Sequence, residues 1–305
     1  MTLRIGTSLP VALGDLSTDP RHSTVTTAAR RIEEHGLESL WVPDLLLGEG
    51  TPALEPMMTL AAAAAVTRDI TIGTAVLSVP LRPLPWLATQ VGTLQYLSRG
   101  RFALGVGLGG FPGVPFWQNL GAGPKGRGPA LDRALDLLPH LTAGESVTLD
   151  PRHAPLQMGP PASMPPVLIG GSARAFERVL TYGADWLPSL ISPQDLAPAV
   201  ARLNALAAER DLKRPGVTVG GHVIIGADRS ASDAYDALVA NLITEHRMTP
   251  EVATRVPIRA RTPAELAQTF AEFQEAGAGR VIASSDNKAW SEQLEFIAEA
   301  RALLS

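Results

Sequence analysis

Two glycine turns and a few isolated polar residues are the parts of this sequence that could do chemistry. Gly170-Gly171-Ser172 stands where the apolar run Val167–Ile169 gives way to a helical pattern. Glycine lets a backbone approach a ligand closely, and a helix N-terminus offers unpaired N–H groups, so the turn is a candidate anion site. Gly105-Val106-Gly107-Leu108-Gly109-Gly110 could serve in the same way. Gly170-Gly171-Ser172 alone also has a plainer reading, a turn at a strand end with a serine cap. Asp44 precedes three leucines, Leu45 to Leu47. Apolar neighbours would partly desolvate it and suit a proton donor or a hydrogen bond to substrate. Equally, it could accept backbone hydrogen bonds or pair with Arg82. His222, in Val219-Gly220-Gly221-His222-Val223, could point inward as a proton donor or be a packed core histidine.

Other chemistries are excluded by what is missing. The six histidines, at 22, 35, 140, 153, 222 and 246, show no metal-ligand spacing, so no metal is expected. There is no HExxH, no GxSxG and no P-loop. No cysteine exists to form a disulfide, a thiolate metal site or a nucleophile. The formal charge of −4 carries no block of like charges, which argues against nucleic acid or an anionic membrane as partner. Met1 to Leu16 lacks the pattern of a signal peptide. The apolar stretch Leu60 to Val66 is too short to span a bilayer. A cytoplasmic protein acting on a small molecule is the expectation.

The elements that must position these residues alternate along the chain. Strands are expected at Leu3–Leu9, Ser39–Val42, Ile70–Val79, Arg101–Val106, Val167–Ile169, Ala184–Leu187, Val217–Ile225 and Arg280–Ser284. Helical spacing follows each, as in Leu84, Leu87, Ala88 and Val91, which stop near Ser98-Arg99-Gly100. A proline-rich excursion from Ser146 to Pro166 holds a short edge strand at Val147–Leu149. A loop of about twenty residues, with Phe111, Phe116 and Trp117, follows the fourth strand and suggests an apolar ligand or a loop anchor. Eight strand–helix units, without a GxGxxG after the first strand, predict an α/β fold of the (β/α)₈ TIM-barrel kind with insertion loops. Residues 1–305 are expected to form one domain. Sites in such barrels lie at the C-terminal ends of the strands. There this sequence is rich in glycine, serine and aliphatics and poor in carboxylates, which suits a flat, partly apolar cofactor.

The ordered set of segments resembles the bacterial luciferase-like monooxygenase family over essentially the whole chain. The matches are Gly73-Thr74, Arg82, Leu97-Ser98-Arg99-Gly100-Arg101 and Gly105-Val106-Gly107-Leu108-Gly109, with Leu40-Trp41-Val42-Pro43-Asp44, Arg127-Gly128, Ile169-Gly170-Gly171-Ser172 and Ala184-Asp185-Trp186. The resemblance implies reduced FMN or the deazaflavin coenzyme F420 at the strand C-termini, and a homodimer. It implies a bulge with a non-prolyl cis peptide at Thr74-Ala75 beneath the ring. It places the phosphate near Gly107, Gly109 and Gly110 and on Gly170, Gly171 and Ser172. Asp44, Arg82 and His222 are then the candidate catalytic residues. Flavin would oxygenate a small, apolar organic substrate, whereas the deazaflavin would transfer hydride. A non-catalytic flavin-binding barrel is a further alternative. Two positions depart from the family pattern. Leu45 follows Asp44, and Pro83 follows Arg82, where many members carry histidine.

Overall fold

Runs of β-branched and aliphatic residues form short strands, and capped amphipathic segments form the helices between them. The computed structural model describes residues 2–12, 24–45, 53–109, 117, 125–285 and 287–304. The first half comprises β1 (Arg4–Ser8), α1 (Val25–Glu34), β2 (Ser39–Val42), α2 (Pro56–Val66), β3 (Thr71–Thr74), β4 (Leu77–Ser78), α3 (Leu84–Ser98), β5 (Phe102–Gly107) and α4 (Arg127–Thr142). A hairpin of β6 (Ser146–Val147) and β7 (Leu156–Gln157) follows, then β8 (Val167–Gly170), α5 (Phe176–Thr181), β9 (Asp185–Leu187) and α6 (Pro193–Glu209). The chain ends with β10 (Thr218–Ile225), α7 (Arg229–Thr244), α8 (Pro250–Ala253), β11 (Ile258–Ala260), α9 (Pro263–Glu275), β12 (Arg280–Ser285) and α10 (Trp290–Ala302).

The helix starts follow capping chemistry. Side chains of Thr24, Glu55, Ser192, Asp228 and Thr262 accept from backbone N–H groups of the first turns of α1, α2, α6, α7 and α9. Proline opens α2, α6 and α9, where its missing N–H costs nothing. At the end of α3, Arg99 and Gly100 take φ of 55° and 80°, which turns the chain out of the helix.

Parallel pairing runs β10–β12–β1–β2–β3–β5–β8–β9, with β4 continuing the β3 position beside β5. Two isolated parallel bridges, Trp186↔Val217 and Ser189↔Gly220, join β9 to β10 and close the curl. The expected barrel is therefore present, with its helices outside. A large hydrophobic cluster between sheet and helices includes residues from Leu3 to Ala300. A smaller one, of Trp41, Ala103, Leu168, Leu187 and Ile282, fills the barrel interior.

Three expectations are corrected. The strand expected over Ile70–Val79 is split into β3 and β4, and the non-prolyl cis bond between them is Ala75–Val76, one residue beyond the expected position. The expected edge strand at Val147–Leu149 is only Ser146–Val147, paired antiparallel with Leu156–Gln157 apart from the barrel. The sequence reading also missed α8 and β11, whose strand pairs in parallel with Val223–Ile225 of β10. β11 is three residues long and offers no periodicity to read. Among the described residues no helix is long and apolar enough to cross a membrane.

Candidate active site

Side chains alternate across a strand, so every second residue faces the barrel axis. That alternation brings Ser8 of β1, Leu187 and Ser189 at the end of β9, Gly220 and His222 of β10, and Ile282 and Ser284 of β12 to one cavity. Its volume is about 820 Å³. Pro43, Leu45 and Ala75, just past the ends of β2 and β3, line the same space. Leu238, Asn241 and Leu242 add one face of α7, at helical spacing, and Glu245 and His246 follow just past its C-terminal end. The cavity thus lies at the C-terminal ends of the strands.

Below it the barrel is closed by Trp41, which is fully buried. A Cβ on Gly73 would stand 2.3 Å from the Trp41 ring, so the indole fills the space a side chain there would need. The guanidinium of Arg280 lies 5.3 Å from the centre of that ring, a cation–π contact inside the barrel. Burial, reinforced by Arg4, pulls Arg280 down to about 10, below the ordinary arginine range, while Asp185 and Glu38 oppose that shift. It remains a cation at neutral pH.

Asp44 and Arg82 satisfy each other. Arg82 donates from Nη1 to Oδ2 of Asp44 at 2.6 Å and from Nη2 to Oδ1 at 3.2 Å. The Ser78 backbone N–H adds a third bond to Oδ2 at 2.8 Å, and Arg82 Nη1 also donates to the Ser78 carbonyl at 3.1 Å. The Asp44 side chain is 1% exposed and the Arg82 side chain 10%. Of the alternatives open for Asp44, the backbone hydrogen bond and the pairing with Arg82 are both realised. The pair ties the end of β2 to β4, and Ser78 pairs with Gly107, so Asp44 and Gly107 do share the same barrel end. Asp44 and Arg82, the candidate catalytic pair, and Gly107, expected near the phosphate, are however not among the residues that line the cavity.

The glycine-rich segments have an internal reason for being glycine. A Cβ on Gly105 would fall 1.9 Å from the Thr74 carbonyl oxygen. Cβ atoms on Gly107 and Gly170 would fall 2.7 and 2.9 Å from the Val76 methyls. β5 and β8 are therefore bare where the segment between β3 and β4 leans on them, and the approaching group is the chain's own. Thr74 is buried, with its hydroxyl donating to the Gly105 carbonyl at 2.7 Å, so that side chain is turned away from the cavity; Ala75 lines it. Gly109 has φ +79° and lies under Trp117, and its carbonyl accepts from Arg127 at 3.0 Å. Gly110, Phe111 and Phe116 lie outside the described residues.

At the end of β8, Gly171 takes φ +133° and its N–H donates to the Leu187 carbonyl at 3.3 Å. That donor is thus engaged in the sheet, contrary to its expected use on a phosphate. Ser172 and Arg174 are exposed beyond it, and the Arg174 side chain has no partner among the described residues. Among the described residues there is no group of three or more His, Asp or Glu placed to hold a metal. His222, which the sequence left open between an inward-facing and a packed reading, lines the cavity, whereas Glu245 and His246 were not singled out. Their helix was legible; that its end reaches the cavity was not.

Comparison with known proteins follows the same lines. A family model described as luciferase-like monooxygenase matches residues 3–253. The 4-hydroxyprotoasukamycin monooxygenase of Streptomyces nodosus subsp. asukaensis is 31% identical over 228 residues, 68% of this chain and 61% of that one. An F420-dependent secondary alcohol dehydrogenase, solved with an F420-acetone adduct, superimposes with a TM-score of 0.77 at 16% identity, covering 100% of both chains. The oxygenating constituent of 3,6-diketocamphane monooxygenase from Pseudomonas putida, solved with FMN, gives a TM-score of 0.76 at 15% identity, covering 99% of this chain and 98% of that one. These structural likenesses establish the fold.

Proposed function

Because this chain belongs to the luciferase-like monooxygenase family, we propose that it is an oxidoreductase, one barrel domain holding FMN or coenzyme F420 over Ala75 and acting on a small organic substrate beside it. The observation that carries the reading is the cavity of about 820 Å³ at the strand C-termini. Its floor suits a flat ring: Ala75, Leu187 and Ile282 are apolar and lie over the Trp41 layer. Ser172 and Arg174, exposed past the end of β8, would hold the cofactor phosphate by a hydroxyl and a guanidinium. When bound, such a cofactor supplies the redox chemistry, either hydride transfer or the activation of oxygen by its reduced form. The protein's own contribution is to orient the ring, exclude water with the leucine-rich wall, and present the substrate. Asp44 and Arg82 act at one remove, by fixing the segment that bears Ala75. The reading includes a cytoplasmic location, in keeping with the absence of cysteine.

Titration of the protein with FMN and with F420 tests this. Ser172→Ala and Arg174→Gln should each weaken the preferred cofactor about tenfold, the loss of one charge-assisted hydrogen bond. Binding of riboflavin, which lacks the phosphate, should not change. Equal cofactor affinity in wild type and both variants would remove the phosphate assignment. Gly171→Val is a poorer probe, because φ +133° strains any side chain there and stability would fall with it.

The reading also includes a homodimer through α2 and α3. Neither helix contains a charged residue, and they pack side by side. Their outer surface exposes Met58, Trp86 and Tyr96, which are 71%, 65% and 79% accessible. Thr89 and Thr93, between the two aromatics, turn their hydroxyls back onto helix carbonyls, leaving methyls outward. An uncharged apolar stripe of this kind suits a copy of itself across a twofold axis. Light scattering should give a dimer mass for the wild type and a monomer mass for Trp86→Glu. A monomeric wild type would contradict this part of the reading.

A further inference from the structure

The walls of the cavity differ in character from one element to the next. Pro43, Leu45 and Ala75, on the β2–β3 side, bring apolar side chains, as do Leu187 and Ile282, with the hydroxyl residues Ser8 and Ser189 at neighbouring strand ends. Every titratable group among the described lining residues lies on the opposite side: His222 on β10, and Glu245 and His246 at the C-terminal end of α7. Asn241 and Ser284 stand with them. The α7–α8 segment packs on a small hydrophobic cluster of its own, with Leu242, Ala253 and Val256 buried, rather than on the main core. It is thus a separate wall, apolar at Leu238 and Leu242, whose C-terminal end carries Glu245 and His246 to the barrel mouth.

From this segregation we propose that His222 and His246 bind and orient the substrate, and that the substrate is an uncharged molecule with an apolar body and one carbonyl or hydroxyl group. The inference rests on the reading of this cavity as the substrate site, and it assigns the residues and the chemical class. The apolar body lies toward Leu45, Leu187 and Ile282. The oxygen faces the imidazoles, each of which can donate or accept a hydrogen bond according to its tautomer. No Lys or Arg is among the described lining residues, and Glu245 contributes a carboxylate, so carboxylates and phosphate esters are disfavoured as substrates. The histidines expected after Asp44 and Arg82 are replaced by Leu45 and Pro83. The wall of β10 and α7 supplies imidazole from the other side of the cavity.

The test uses three probes of similar shape: cyclohexanone, methylenecyclohexane and cyclohexanecarboxylate. They are added to the cofactor-loaded protein while the histidine ring signals are followed by NMR, assigned with His222→Asn and His246→Gln. Cyclohexanone should move the signals of both residues and bind about tenfold more tightly than either other probe. That preference should disappear in both variants, while their melting temperatures and cofactor affinities stay near those of the wild type. Undisturbed histidine signals at saturating cyclohexanone, or a preference for the carboxylate, would overturn the inference. Cofactor affinity is measured on the same samples. If neither FMN nor F420 binds, the functional reading fails, and the histidine signals on the cofactor-free protein still decide this one. If a variant unfolds, the probe ranking in the wild type decides it.

Discussion

Replacing Arg82 by methionine is expected to destabilise the protein by about 3–5 kcal/mol, the usual cost of removing one partner from a buried ion pair. The reason is the state in which Asp44 is left. Its side chain is 1% exposed, and two of its three donors belong to Arg82. Without them a buried carboxylate keeps only the Ser78 N–H. A shell of water cannot replace the guanidinium without opening the segment between β2 and β4. The double substitution Asp44→Leu with Arg82→Met should recover much of the loss, because no uncompensated charge then remains. Urea unfolding followed by circular dichroism measures both. A single-variant loss below about 1 kcal/mol, the range of exposed pairs, would mean that the bridge is solvated and holds nothing in place.

Gly105→Ala is expected to cost about 3 kcal/mol or more, at or beyond the upper end of overpacking. The new methyl would fall 1.9 Å from the Thr74 carbonyl oxygen, and the obstacle is backbone, so no side-chain rotation relieves it. Either β5 or the segment carrying Ala75 must move, and the cavity floor would move with it. Gly92→Ala is the matched control. Gly92 lies inside α3, and its Cβ would meet Ala162 at an ordinary 3.7 Å. There alanine should stabilise by about 0.5–1 kcal/mol through helix propensity. Thermal unfolding of the two variants should therefore shift in opposite directions. Similar shifts would show that the close approach of β3 and β5 does not require glycine.

The strands were legible because a parallel barrel buries them on both faces, leaving continuous apolar runs such as Ser39–Val42 and Phe102–Gly107. Counting such runs gave eight units, and the closing bridges at Trp186 and Ser189 agree with it. The glycines were legible as special but not in their purpose. A glycine records that something comes close, and only the fold shows that at Gly105 the neighbour is Thr74 and at Gly107 and Gly170 it is Val76. The pairing of Asp44 with Arg82 was one of the readings open in the sequence, and the fold, which brings together residues 38 apart, is what realises it. His246 was hidden for a different reason. It follows a helix whose exposed face resembles any solvated one, and Leu242 of that helix is packed with Ala253 and Val256 in a cluster the sequence does not announce.

In the proposed complex a flavin or deazaflavin ring rests over Ala75 with its phosphate end toward Ser172. A crystal structure of the protein grown with the tighter-binding of FMN and F420 measures this directly. The ring is expected stacked against Ala75, in the cavity walled by His222 and His246, with the phosphate within hydrogen-bond distance of Ser172 or Arg174. A cofactor bound elsewhere, or a ring whose nearest strand ends are not those of β3 and β12, would contradict it.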